Sequence, residues 1–215
     1  MHPYILTRSL AGICQYTTTL QEFQLRSGII SKTVAKDVLE FLAISGIGSN
    51  LPTGIKFSES DRLKAALMFL KMGCEEENIS KMLNWKDFEL LSSELLRTLG
   101  YITKTNIYFT KPRMEIDVIG IKSGFAIIAD CKHWKYNSVL STSRCARKQA
   151  QRTEFLLRRV NDISSAVPII LTLHDVTINF IEGIPIVPIS KFKSFINDVH
   201  FYFDEILVIF NNQEK

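Results

Sequence analysis

The sequence contains no hydrophobic run as long as the roughly 18 residues that indicate a membrane-spanning helix. Its amino terminus also lacks the charged, apolar and small-residue succession of a secretory signal peptide. Cysteines are few, and they show no paired spacing: Cys14, Cys74, Cys131 and Cys145. Neither a zinc site nor a disulfide framework is therefore expected. We expect reduced thiols, a cytoplasmic location and no membrane partner.

The composition is that of an ordinary globular protein, with no internal repeat and no low-complexity segment. Hydrophobic residues make up 46% and charged residues 22% of the 215 residues, a length that suits one large domain or two small ones. The formal net charge is +4 and the isoelectric point is about 8.8. A mildly basic chain permits a nucleic-acid partner but does not require one.

Residues 1–84 are predicted to be mainly helical, with a turn-rich stretch at 46–57 that ends in a strand-like piece. One helix is predicted at 31–44, with Lys32 and Lys36 near its start. Helices followed by a hairpin-like loop resemble a winged helix-turn-helix domain, whose second motif helix enters the DNA major groove. Because 9 Lys and Arg stand against 8 Asp and Glu in this segment, DNA contact and dimerisation remain alternative roles for it.

Residues 85–215 show a different order of elements. A helix at 85–99, a strand at 102–110, a hairpin at 113–131, a helix at 143–160 and a strand at 168–173 follow one another. The second helix can supply the crossover that parallel strands need. The sequence therefore predicts an α/β fold of order α-β-β-β-α-β, a mixed sheet flanked by helices, with a domain boundary after residue 84.

Two apolar, strand-like runs flank the turn signal at 122–124, which predicts a β-hairpin. With a two-residue loop, Asp117 faces Asp130 and Glu115 faces Lys132, and strict alternation puts all four side chains on one side of the sheet. Cys131 alternates with Asp130 and Lys132, so we expect it on the opposite, buried side. Like charges placed directly opposite each other are destabilising. The two carboxylates therefore need a shared proton or a cation, and a divalent metal suits the geometry better. A solvated cluster of strand-edge charges is the structural alternative.

Asp117 on one strand and the triplet Asp130-Cys131-Lys132 on the next resemble the catalytic signature of the PD-(D/E)xK nuclease superfamily, which has the restriction-endonuclease-like fold. The nearest likeness is to archaeal Holliday-junction resolvases and Mrr-like restriction enzymes, over roughly residues 85–190. Isoleucine replaces the proline of that signature, and the triplet begins with aspartate where glutamate is more common.

The resemblance implies a Mg²⁺-dependent DNA endonuclease, in which Mn²⁺ can substitute. Asp117 and Asp130 would be direct metal ligands, together with the backbone carbonyl of Cys131. Lys132 would polarise the attacking water, and Glu89 on the preceding helix would reach a metal-bound water or a second metal. Mg²⁺ takes oxygen ligands and typically one or two protein carboxylates, which agrees with this set.

The helix predicted at 143–160 is strongly basic. Between residues 133 and 160 seven basic residues stand against one acid, Glu154. Those on this helix that we expect to contact nucleic acid are Arg144, Arg147, Lys148 and Arg152, three of which recur every four residues. A one-sign stripe beside a carboxylate cluster favours phosphate contact over a solvated helix face. Gln149, in preference to Gln151, resembles the glutamine that related nucleases place near the active site.

The resemblance therefore implies a DNA endonuclease that acts as a homodimer and is associated with the nucleoid, and a helicase or repair protein is a candidate further partner. A structure-selective nuclease of the resolvase type is one alternative, a non-catalytic DNA-binding scaffold is another, and RNA stays open as substrate. Trp134, directly after the triplet, would either stack on an unpaired base or pack against the fold.

Overall fold

The structure is a computed structural model that describes residues 1–132, 139–173 and 180–211. The protein is a mixed α/β chain that divides into two compact units, Met1–Asp87 and Phe88–Lys215. The boundary predicted from the sequence falls a few residues before this division. Within the described ranges, no helix combines the length and apolarity needed to cross a membrane.

The amino-terminal unit consists of helices and one small antiparallel sheet. Its helices are α1 (Pro3–Ser9), α2 (Leu20–Ser27), α3 (Lys32–Ile44), α4 (Asp61–Lys71) and α5 (Glu76–Ser80). Its strands are β1 (Thr17–Thr18), β2 (Ser49–Leu51) and β3 (Gly54–Lys56), with β3 between the other two. The predicted helix at 31–44 is therefore present as α3, and the turn-rich stretch forms the β2–β3 hairpin.

Local sequence sets the connection between α2 and α3. Thr19 and Glu22 form a capping box at the start of α2, in which each side chain accepts the other's backbone N–H. Gly28 ends α2 in the left-handed conformation, with φ of 67°. The Ser31 hydroxyl then accepts the N–H of Val34 and so starts α3.

The carboxyl-terminal unit is a mixed sheet flanked by helices. Its helices are α6 (Trp85–Thr98), which begins at the division, α7 (Val139–Leu157) and α8 (Ile189–Asp198). Its strands are β4 (Ile102–Thr110), β5 (Arg113–Lys122), β6 (Phe125–Lys132), β7 (Ser165–Thr172), β8 (Phe180–Ile181), β9 (Ile184–Pro188) and β10 (Ile209–Phe210). Strand order is β4-β5-β6-β7-β9-β8, and β10 pairs with β7. The three central strands β6, β7 and β9 are parallel, and the remaining pairs are antiparallel.

Strands β5 and β6 form the predicted hairpin in the predicted register. Ser123 and Gly124 both have positive φ, 51° and 78°, as a type I′ turn requires. Val118 lies opposite Ala129, as a two-residue loop dictates. The hairpin therefore carries the next residues of both strands, including Asp117, to the end of the sheet where β6 terminates.

Helices cover both faces of the sheet at this hairpin. Leu157 of α7 joins Ile119 and Ile128 in one buried cluster. On the other face the Cys131 thiol lies 3.8 Å from the hydroxyl oxygen of Ser92 on α6. Cys131 is fully buried there, so its predicted position on the face away from Asp130 is confirmed.

Candidate active site

Asp117 of β5 and Asp130 of β6 lie together at the end of the hairpin, and both are almost fully buried. Backbone pairing between the two strands runs to Val118 and Ala129, one step short of the aspartates. Beyond it, Asp117 Oδ2 accepts the backbone N–H of Cys131 at 2.7 Å. A carboxylate thus satisfies a main-chain donor at the point where the ladder stops.

The strands are irregular beside Asp117. Ile116 and Ile119 both belong to the cluster beneath α7 although they are three residues apart, so the alternation of sides breaks between them. On β4, Asn106 has φ of 53° at the position opposite Asp117. Asparagine tolerates this left-handed conformation better than most residues. The strict alternation that the sequence predicts for 115–119 is therefore wrong at this place.

The break also changes the surroundings of Glu115. Because Ile116 faces α7, its neighbour Glu115 faces the opposite side of the sheet. Glu115 lies across from Tyr108 of β4, and the hydrogen bond that the Tyr108 hydroxyl donates to it raises the pKa of that phenol. Sequence reasoning missed both Asn106 and Tyr108. The available signal was a single asparagine within an otherwise β-forming segment.

Asp130 is held by two cations. Lys132 Nζ lies 2.7 Å from Asp130 Oδ2, and Arg152 Nη1 lies 2.7 Å from Oδ1. Arg152 reaches Asp130 because helical side chains point back toward the start of their helix. Asp117, Asp130, Lys132 and Arg152 together form what we call the four-charge cluster.

The pKa of Asp117 is raised from 3.8 to about 6. Burial is the main cause, and the charge of Asp130 is the second, since a neighbouring carboxylate disfavours ionisation. The N–H of Cys131 and the charges of Lys132 and Arg152 act in the opposite direction. Asp117 is therefore mainly ionised at neutral pH, and its negative charge is only partly compensated by the surrounding protein.

Glu89 lies on α6 and is also buried. The pKa of the Cys131 thiol is raised, first by its own burial and then by nearby acids, of which Asp117 is the strongest and Glu89 a weaker one. Among the residues that the structure describes, no three His, Cys, Asp or Glu side chains are grouped as a metal site. Glu89 is thus near the aspartate pair without completing a three-carboxylate set.

The aspartate pair alone fits Mg²⁺. This ion is bound through one or two carboxylates and keeps several waters. Asp117 and Asp130 supply two oxygen ligands, and the charge of Asp130 adds to burial, the larger cause, in raising the pKa of Asp117. Asp117 Oδ2 accepts the N–H of Cys131 and retains a second lone pair for an ion, whereas each oxygen of Asp130 already lies against a cation that an incoming ion would meet.

Gln149 supports the strand that carries Asp130. Its side chain is buried, and Nε2 donates to the carbonyl of Ile128 at 2.7 Å. Pro168 of β7 lies opposite Ile128 and has no N–H to contribute to the sheet. Oε1 of Gln149 is buried without a hydrogen-bond partner among the described residues. Gln149 therefore contacts the β6 backbone two residues before Asp130.

The predicted nucleic-acid contacts occupy different environments. On α7, Arg144, Arg147 and Lys148 are exposed, and Arg147 makes a two-pronged contact with Glu182, at 2.7 Å for the closest atoms. Arg152 turns inward to Asp130 and so does not extend the exposed stripe. In the amino-terminal unit, the predicted contacts Lys32 and Lys36 are exposed at the start of α3, and Lys36 pairs with Glu40 of the same helix at 3.6 Å.

Trp134 lies outside the described residues, as do all positions from 133 to 138. The prediction that it stacks on a base or packs against the fold therefore stays a prediction.

Comparison with known proteins gives distant relatives without an assigned activity. No family model matches the chain. An uncharacterized protein of Archaeoglobus fulgidus is 25% identical over 127 residues, which is 57% of this chain and 97% of that protein. The crystal structure of protein VC1899 from Vibrio cholerae matches 94% of this chain with a TM-score of 0.47 and 15% identity. The crystal structure of a protein of unknown function, AF1548, matches 41% with a TM-score of 0.33 and 22% identity. The chain spans about half the length of each solved structure, 51% and 47%.

Proposed function

We propose that the carboxyl-terminal unit is a Mg²⁺-dependent DNA endonuclease of the PD-(D/E)xK type. The observation that carries this proposal is the buried pair of Asp117 and Asp130 with Lys132 beside it, where a parallel strand ends. Two acids buried together destabilise a fold unless a cation joins them, and such perturbed groups concentrate at functional sites. The order α6-β4-β5-β6-α7-β7 supports a restriction-endonuclease-like core within this mixed sheet flanked by helices.

Each residue of the site has a defined part in phosphodiester hydrolysis. Asp117 and Asp130 would hold the ion, together with the Cys131 carbonyl. Bound Mg²⁺ supplies Lewis acidity at the phosphate and lowers the pKa of a water to make a nucleophile. Lys132, at 2.7 Å from Asp130, would stabilise negative charge that develops on the phosphate oxygens. Glu89 would orient water from the α6 side.

The bond changes follow from the family resemblance. The water oxygen attacks phosphorus as the bond from phosphorus to the 3′ oxygen breaks, and a proton passes to the leaving alkoxide. The products are a 5′-phosphate and a 3′-hydroxyl. Gln149 contributes indirectly, because its amide fixes the backbone of β6 next to Asp130.

We assign the amino-terminal unit as a winged-helix-like module that binds DNA or joins two copies of the chain. The exposed Lys32 and Lys36 at the start of α3, followed by the β2–β3 hairpin, support this assignment. A homodimer would place two active sites for cutting two strands, and nucleoid association would follow from DNA binding.

A structural ion-pair cluster is the competing interpretation. It is favoured by the contacts of Asp130, since both carboxylate oxygens are engaged by cations. In that case the unit would be a DNA-binding scaffold without turnover. The two interpretations differ in divalent-ion binding, which only the nuclease requires.

The deciding experiment measures cleavage by the full chain with Mg²⁺ or Mn²⁺ on matched single-strand, duplex, flap and four-way-junction DNA. Wild type should cut at least one of these substrates. Asp117→Asn and Asp130→Ala should abolish cleavage while DNA binding stays equal or tightens, because a negative charge facing phosphate is removed. Asp162→Asn is the matched control, since Asp162 is an exposed acid outside the site.

Calorimetry with Mn²⁺ completes the experiment. Ion binding should disappear together with cleavage in Asp117→Asn and persist in Asp162→Asn. Undiminished cleavage by Asp117→Asn would exclude the assigned metal site, whatever the substrate.

A further inference from the structure

Asp130 is bound by cations that come from two different elements. Lys132 extends from the same strand, whereas Arg152 extends from α7 and contacts Oδ1 at 2.7 Å. A divalent ion that binds between Asp117 and Asp130 would meet the guanidinium of Arg152 at one of its own ligand atoms. The ion and Arg152 therefore require the same carboxylate.

We propose that Arg152 is an internal counter-cation, which holds Asp130 in the metal-free protein and releases Oδ1 when a divalent ion binds. This inference rests on the proposed function of the site and adds its regulation. Metal binding and the Arg152–Asp130 pair become competing states of one carboxylate.

Burial explains why such a counter-cation is needed. The Asp130 side chain is only 4% exposed, and a carboxylate so far from water is strongly destabilised unless a positive charge accompanies it. The Arg152 side chain is 25% exposed, so it has access to solvent when it leaves. A planar guanidinium is also suited to ion pairs with buried carboxylates, because it is more weakly hydrated than an ammonium group.

On α7, the released Arg152 side chain would lie beside other basic residues. Arg144, Lys148 and Arg152 follow one another at intervals of four residues, which places them along one side of the helix. Arg144 and Lys148 are exposed. After release, Arg152 would join them as a third phosphate contact. Metal binding would thereby increase the affinity for DNA through a residue that binds no metal.

The test measures the affinity of Mn²⁺ for the full chain by calorimetry at pH 8, without DNA. Arg152→Gln should bind Mn²⁺ about tenfold more tightly than wild type, because the ion no longer breaks a charge-assisted hydrogen bond. The matched control is Arg158→Gln, which removes the same charge from an exposed position of the same unit. Its dissociation constant should equal that of wild type.

Thermal denaturation separates this role from a merely structural one. In chelator, Arg152→Gln should melt below wild type, because Asp130 has lost a counter-charge. Saturating Mn²⁺ should close most of that gap, since the ion replaces the missing cation. A structural arginine would lower the melting temperature equally in both conditions.

The possible results separate a failure of the Arg152 competition from a failure of the proposed metal site. Absence of Mn²⁺ binding in wild type and in both variants would overturn the proposed function itself. Binding by wild type with equal or weaker binding by Arg152→Gln would overturn the competition and leave the metal site intact. If Arg152→Gln does not fold, Arg152→Lys takes its place. Lysine keeps the positive charge but lacks the planar, two-pronged guanidinium. Mn²⁺ binding that is tighter than that of wild type, by up to tenfold, supports the proposal, and an unchanged Mn²⁺ affinity contradicts it.

Discussion

Replacing Asp117 by asparagine should stabilise the metal-free protein. The pKa of Asp117 is raised from 3.8 to about 6, first by burial and second by the charge of Asp130. One pKa unit corresponds to about 1.4 kcal/mol, so the ionised side chain lowers the free energy of unfolding by up to about 3 kcal/mol. Asparagine has nearly the same shape without the charge, and its carbonyl can still accept the N–H of Cys131.

The effect should depend on pH with a definite sign. A carboxyl group whose pKa is higher in the folded state favours folding below its unfolded pKa, and this contribution is lost as pH rises through the folded pKa. For Asp117 the loss occurs between about pH 4 and pH 6. The stabilisation of Asp117→Asn over wild type should therefore be close to zero at pH 4 and complete above pH 7.

The neighbouring aspartate should behave in the opposite way. Asp130→Asn leaves Lys132 and Arg152 without their shared counter-charge. Both cations are partly exposed, so hydration recovers part of the loss, and we expect destabilisation on the order of 1–3 kcal/mol at pH 8. Urea denaturation of the three proteins in chelator, at pH 8 and pH 4, measures both effects. A destabilised Asp117→Asn at pH 8, or an equal gain at both pH values, would refute the reasoning.

Three further predictions follow from single features of the structure. Asn106→Gly should keep the melting temperature close to that of wild type, whereas Asn106→Val should lower stability by about 1–2 kcal/mol, because a β-branched residue resists the left-handed φ of 53°; equal melting temperatures would contradict this. Reversing Arg144 and Lys148 to glutamate should lower the slope of log affinity against log salt by about 0.9 for each lost phosphate contact on duplex DNA, and an unchanged slope would exclude that face. A chain that begins at Lys81 should fold and bind Mn²⁺, because the four-charge cluster and its supporting strands lie within Phe88–Lys215; a folded fragment that binds no ion, beside a full chain that does, would show that the first unit completes the site.

The sequence was sufficient to predict the hairpin because its determinants are local. A turn at Ser123 and Gly124 fixes the register, and the register fixes which residues of β5 and β6 approach each other. Alternation along β6 then predicted the burial of Cys131 correctly. The helix α3 was equally readable, since Ser31 caps it and the apolar spacing extends to its end.

The break at Asn106 and Asp117 was not predictable in the same way. Period-two patterning assumes that every residue is extended, and one left-handed residue reverses the sides that follow it. The left-handed residue lies on β4, and the paired strand β5 shows a matching break, since Ile116 and Ile119 share one cluster under α7. An asparagine within a strand permits a left-handed conformation without requiring it. The packing of the flanking apolar residues therefore decides which face of the sheet each side chain points to.

The position of Arg152 was likewise not predictable from the sequence, and it determines the net charge of the four-charge cluster. Spacing along α7 places Arg152 with Arg144 and Lys148, but side-chain length and the direction of the helix allow it to reach β6 instead. The formal charges of two acids and two bases then sum to zero within the four-charge cluster, although Asp117 itself is only partly compensated. Binding of a divalent ion would leave an excess of two positive charges in a buried place, which a phosphodiester offsets only in part. Outward movement of one cation removes the remainder, and Arg152 is the member attached to a separate element, so the same electrostatic argument that supports ion binding also favours its release.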